Sequence, residues 1–239
     1  PADPAHTNRV RIFTPAYELP FAGHPNVGTG YVLARQGRDR DGVLLFEETA
    51  GLVEVTVERD GGEVTGAVVA APQALTLGPE LSPETAAACA GLHPADVVTA
   101  SHPPIEASLG NPVTIAEVAA EALAEAAPDI EQFRRAAAAL PGGGLLLYLY
   151  AFDNGRIRAR MFAPLAGIME DPATGAAAVA LAGLLLSLSE EASGAYDITQ
   201  GVEMGRPSTL RTTATRTPDG IRATVGGACV QVLNGDAMV

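Results

Sequence analysis

The chain has 239 residues, enough to bury a sizeable core as one large domain or as two lobes, and its apolar content of 47% is that of a globular protein. The formal net charge of −13 argues against nucleic acid or an anionic membrane surface as partner. All 15 basic residues are arginine, which excludes Schiff-base and lysine general-base chemistry.

The apolar run from Ala176 to Leu186 is interrupted by Gly183 and is too short to span a bilayer. The chain opens Pro1-Ala2-Asp3-Pro4, without a charged leader and apolar core. Cys89 and Cys229 show no metal-ligand spacing, so reduced thiols and a cytoplasmic location are expected. No glycine-rich phosphate loop is present.

In chain order, Arg9–Phe13 alternates as a strand stopped by Thr14-Pro15. A loop with Glu18 leads to Gly23-His24-Pro25-Asn26, and a helix runs on to the polar cluster Arg35–Gly42. Strands are expected at Val43–Glu48, Leu52–Val57 and Glu63–Val69, the last two joined at Asp60-Gly61-Gly62. Ser82 as cap, Pro83 at the first helical position and Gly91 as stop mark an alanine-rich helix. His102-Pro103-Pro104 reads as the boundary between an N-terminal lobe, 1–104, and a C-terminal lobe, 105–239. Strand Val113–Val118 and helix Ile130–Leu140 follow, then a hairpin turning at Asp153-Asn154-Gly155. Short strands close the chain at Ser208–Thr213, Ile221–Val225 and Cys229–Leu233. Many strands with one apolar helix in each half make the fold α+β.

The stretch Met169–Gly175 stands before a helix that is apolar on every face and must therefore be buried on all sides. Pro172 suits a first helical turn, which places Asp171 at the positive end of a buried helix. An aspartate there can serve as a plain helix cap or as a functional acid. The two halves also repeat weakly. Arg9–Pro15 resembles Arg158–Pro164, and His24-Pro25-Asn26-Val27-Gly28 aligns with Asp171-Pro172-Ala173-Thr174-Gly175. Such a duplication sets His24 and Asp171 on opposite sides of one cleft. The second half has a further helix and strand before Arg156, whereas only eight residues precede Arg9, and an N-terminally truncated or processed product is the expectation.

The motifs Glu18–Pro25, Glu170–Gly175 and Gln200–Ser208, in this order, resemble the phenazine-biosynthesis-like (PhzF-type) isomerase family. The resemblance implies the diaminopimelate-epimerase fold, with two pseudo-symmetric lobes, each a curled mixed sheet wrapped around a central apolar helix. It also implies a homodimer, no metal and no organic cofactor. The best-known member moves a proton on a dihydro-hydroxyanthranilate with a glutamate, a histidine and an aspartate. The histidine corresponds to His24 and the aspartate to Asp171. The family's catalytic glutamate lies in a segment upstream of the strand matching Arg9–Phe13, and this chain does not contain it. The serine that follows the helix-start glycine in the phenazine enzyme is here Ala176.

Proton transfer beside a carboxylate needs a base, an acid and donors for developing negative charge. The expected reading is a cofactor-independent isomerase acting on a small carboxylate, with His24 and Asp171 catalytic and Gly23, Asn26, Gly175 and Ala176 lining the substrate site. Glu170, Glu203 and Arg206 form a possible outer shell, with a structural ion pair the other reading of Glu203 and Arg206. Glu18 reads as a loop anchor. Since the cysteines lie away from the helix starts, racemisation by two thiols is not expected. The other function class is a small-ligand binding or regulatory protein that has kept the fold and lost catalysis.

Overall fold

The computed structural model describes residues 1–235. Strands β1 (Asn8–Arg9), β2 (Ile12–Phe13) and β3 (Glu18–Leu19) lead into helix α1 (Gly23–Arg35). The antiparallel strands β4 (Val43–Glu48), β5 (Gly51–Asp60) and β6 (Glu63–Ala70) come next. Gly61 and Gly62, at φ 56° and 91°, turn β5 into β6 through the positive-φ pair that a two-residue hairpin needs. Strand β7 (Thr76–Glu80) precedes helix α2 (Pro83–Ala90), which begins and ends as its local signals dictate. Ser82 Oγ accepts from the Thr85 amide, and Gly91 closes the helix at φ 66°.

The chain continues through β8 (Val97–Val98), β9 (Ile105–Ser108), β10 (Val113–Val118), α3 (Ala120–Glu125) and α4 (Ile130–Ala139). Strands β11 (Leu147–Asp153) and β12 (Arg156–Ala163) form the expected hairpin, and β13 (Ile168–Asp171) leads into α5 (Gly175–Ser187). Strands β14 (Ser193–Gln200), β15 (Ser208–Thr217) and β16 (Gly220–Ala228) end the fold.

Fourteen of these strands make one mixed sheet in the order β1-β4-β5-β6-β16-β15-β14-β12-β11-β10-β9-β7, with β13 on β12 and β8 on β10. The sheet curls around two helices, α1 packing on the β5–β6 end and α5 on β14–β16 and β9–β10. Within α5 only Leu185 and Ser187 escape full burial, as an all-apolar helix requires. A second core gathers α2 and α4 over β10–β12, around Phe133, Leu147, Leu149 and Phe162.

Strand pairing runs across residue 104: β7 pairs with β9, and β16 crosses back to pair with β6. Segment 76–104 thus packs with the second half of the chain. The two strands expected over 221–233 are one strand to Ala228 followed by irregular chain over 229–235. No local signal marks helix α3, whose six residues of alanine, glutamate and leucine carry neither a side-chain cap nor a local stop. Its end is held from outside, where Arg160 Nη1 donates to the carbonyls of Leu123, Ala124 and Ala126 at 3.1, 3.3 and 2.6 Å.

Candidate active site

Helices α1 and α5 meet at their first residues. A Cβ on Gly23 would lie 2.6 Å from the Gly175 Cα, so only two glycines allow the helix starts to approach this closely. The internal repeat is therefore real at this point but shifted in register. Gly23 corresponds to Gly175 and His24 to Ala176, whereas Asp171 has its counterpart at Leu19. The shared His/Asp-Pro pair aligns His24 with Asp171 in sequence, but both helices begin at a glycine, and this sets the structural register. Pro172 is not in the first turn of α5, which begins three residues later with Thr174 as cap residue.

Neither helix start carries a side-chain cap: Ala22 has no group to offer, and the Thr174 hydroxyl turns away to donate to Asp171 Oδ2. The first-turn amides of both helices are left open to a cavity of about 230 Å³. Ala22, Gly23, His24 and Pro25 border it from α1, and Thr174, Gly175 and Ala176 from α5. Asp171 enters from the end of β13. The remaining wall is largely apolar, with Ile12, Leu19, Leu146, Met161 and Ile168. Two positive helix ends in apolar surroundings favour an anion.

Of the residues expected here, His24, Asp171, Gly23, Gly175 and Ala176 converge on the cavity. Asn26 does not. It is fully buried in the first turn of α1, donates to the Ala22 carbonyl at 2.9 Å, and does not border the cavity. Glu170 is taken up by Arg160, which donates to both its oxygens at 2.9 and 2.8 Å. Glu203 pairs with Arg158 and lies near Arg160, while Arg206 is exposed; the two neither pair with each other nor border the cavity. Glu18 is an anchor, accepting two bonds from Arg11 that draw its carboxyl below the usual range.

Residues that sequence reading missed lie just behind the cavity. Gln200 is fully buried and bonds to the Asp171 carbonyl, to Thr174 and to Tyr148. Burial, together with the charge of Asp171, holds the Tyr148 phenol far above its ordinary range, so it acts as a donor and does not ionise. The only sequence signal was the Gln200-Gly201 pair in the third motif, and nothing local tied it to Asp171. Among the described residues no cluster of three His, Cys, Asp or Glu side chains could hold a metal ion, and both cysteines are free. No helix among the described residues is long and apolar enough to cross a membrane.

A sequence model of the family described as "Phenazine biosynthesis-like protein" matches residues 1–235. An uncharacterized isomerase of Mesorhizobium japonicum is 34% identical over 251 residues, covering 100% of this chain and 82% of its own length. The trans-2,3-dihydro-3-hydroxyanthranilate isomerase of Pseudomonas aeruginosa is 36% identical over 207 residues, covering 84% of this chain and 68% of the relative. Among solved structures, a Bacillus anthracis PhzF-family protein superposes with a TM-score of 0.77 at 23% identity, over 92% of this chain and 76% of the other. A probable proline racemase from Agrobacterium radiobacter shares the fold at a TM-score of 0.62 and 14% identity, over 95% of this chain and 71% of the other. With the family matched along nearly its whole length, the chain belongs to the phenazine-biosynthesis-like (PhzF-type) isomerase family.

Proposed function

We propose that the chain is an isomerase that moves a proton on a small, carboxylate-bearing, ring-sized substrate in the cavity between α1 and α5, without a cofactor. The observation that carries this reading is the convergence of two uncapped helix starts, His24 and Asp171 on one apolar-walled cavity. The open amides of Gly23, His24, Gly175 and Ala176 would hold the carboxylate and the charge that develops as the proton leaves. The His24 imidazole can accept a proton or return one, and Asp171 can do the same across the cavity. The apolar wall from Ile12 to Ile168 suits a hydrocarbon ring. A relative named for trans-2,3-dihydro-3-hydroxyanthranilate isomerisation supports a cyclic amino or hydroxy acid as the substrate class. Assembly as a homodimer belongs to the same proposal, and sedimentation velocity tests it.

The chemistry is tested in deuterated water, with trans-2,3-dihydro-3-hydroxyanthranilate and a panel of cyclic amino and hydroxy acids. Mass spectrometry should find deuterium entering at least one of them. A protein that binds panel members but exchanges none would instead be a ligand-binding member of the fold. Ala176 favours that second reading, since it brings no hydroxyl to the helix start.

A further inference from the structure

The proposed reaction needs Asp171 to present its carboxylate in one orientation, although it stands on a turn, three residues short of a helix. The hydrogen bonds behind it leave no freedom in how that turn is held. The Thr174 amide can only donate, so it must face Gln200 Oε1, which it meets at 3.1 Å. The Asp171 carbonyl can only accept, so it must face Gln200 Nε2, at 2.6 Å. The second Nε2 hydrogen goes to Thr174 Oγ1 at 3.0 Å, and the second Oε1 lone pair accepts from Tyr148 at 3.2 Å. All four positions of the carboxamide are used. Because Thr174 Oγ1 accepts from Gln200, its one proton is directed to Asp171 Oδ2. Gly201 then lets the chain pass against the same turn: a Cβ there would lie 2.8 Å from the Pro172 carbonyl oxygen, and φ is +80°.

We propose that Gln200 is the positioning residue of this site: it fixes the Asp171–Thr174 turn, and through the Thr174 hydroxyl it orients the Asp171 carboxylate toward the cavity. The inference rests on the isomerase reading for its catalytic meaning, and on the hydrogen-bond geometry alone for the positioning. The first half of the chain has no equivalent lock. The spacing that separates Gly23 from Gly175 also separates Glu48 from Gln200, and both Glu48 oxygens are buried without a partner among the described residues. The carboxamide lock thus belongs to the helix that follows Asp171.

Gln200→Glu and Gln200→Leu test it on the full chain. The introduced acid keeps the shape but, when ionised, turns acceptors toward the Asp171 carbonyl and Thr174 Oγ1, while leucine removes every bond. At pH 8 both variants should lose about a hundredfold in kcat with KM little changed, as a misplaced catalytic group does. Below pH 6 the glutamate variant, once protonated, should recover relative to wild type, and the leucine variant should not. A pH–rate profile of the glutamate variant that parallels wild type would overturn the proposal. The second readout needs no substrate. In Gln200→Leu the Thr174 amide should exchange hydrogen at least about tenfold faster, while Leu181 in the middle of α5 stays protected. Unchanged protection at Thr174 refutes the positioning even if wild type proves inactive on every substrate, and wild-type inactivity with Thr174 released refutes only the isomerase reading.

Discussion

Gly23 and Gly175 touch backbone to backbone: a Cβ on either would come within 2.8 Å of the other's Cα. This contact brings two helix starts to one cavity, and it leaves no room for even one methyl group. Gly175→Ala should therefore force the helices apart and cost about 1–3 kcal/mol, as overpacking of a core does. Urea unfolding measures that cost. Activity should fall further than stability, since the displaced atoms are the amides that border the cavity. Equal stability of the variant and wild type would show that the helices part freely.

Much of this arrangement could be read from the residues, and the failures share a cause. Local signals placed α2, from Ser82 to Gly91, and the hairpin at Asn154-Gly155, whose φ values of 50° and 76° are those that the turn demands. The all-round apolar character of Ala176–Leu186 predicted its burial. Features set by distant partners could not be read in the same way. The end of α3 depends on Arg160, β16 pairs with β6 across the whole chain, and Gln200 reaches back to Asp171. Pro172 carried a genuine helix-start signal, yet Gly175 begins the helix, because the contact with Gly23 admits only glycine there. That contact joins residues from opposite halves, and no local pattern encodes it.

Arg160 joins β12 to both the last turn of α3 and Glu170, and it is buried. Arg160→Met removes the donors to three carbonyls and strands the Glu170 carboxylate without its partner. A loss of about 3–5 kcal/mol is expected, the usual cost of breaking a buried pair from one side. The double variant Arg160→Met, Glu170→Met should regain a substantial part of it, because no unpaired charge then remains. Chemical denaturation of the two variants decides this, and a double variant no more stable than the single would place the cost in the α3 carbonyls instead.

Glu48 supplies a pH dependence. Burial raises its carboxyl to about 7, opposed by the Asn26 side chain beside it. For an acid whose folded value lies above its unfolded value, the unfolded state releases the proton first. Stability is accordingly highest below about pH 4.5 with respect to this group and is lost as pH rises toward 7. The carboxyl oxygens are buried but the residue as a whole is half-buried, and the loss is about 1–2 kcal/mol. Glu48→Gln should remove it, so that the variant matches wild type near pH 4.5 and exceeds it at pH 8. Parallel stability curves for the two proteins across this window would mean that Glu48 ionises freely.

Asp171 and His24 face the same cavity from β13 and α1, and their substitution separates catalysis from folding. Asp171→Asn keeps the shape and can still accept from Thr174 Oγ1, but it cannot carry the proton. Its effect on stability should be below about 1 kcal/mol, because the residue is partly exposed and its bonds to Gln200 and Thr174 survive. Isomerisation of the substrate found in the exchange panel should fall about 10²–10⁴-fold, the usual contribution of one proton-transfer group. His24→Gln should lose a similar amount. If the two residues act in one proton transfer, the double variant should be little slower than either single one, since groups that work as a unit do not lose activity additively. A double variant whose loss is the product of the two single losses would place His24 and Asp171 in separate steps.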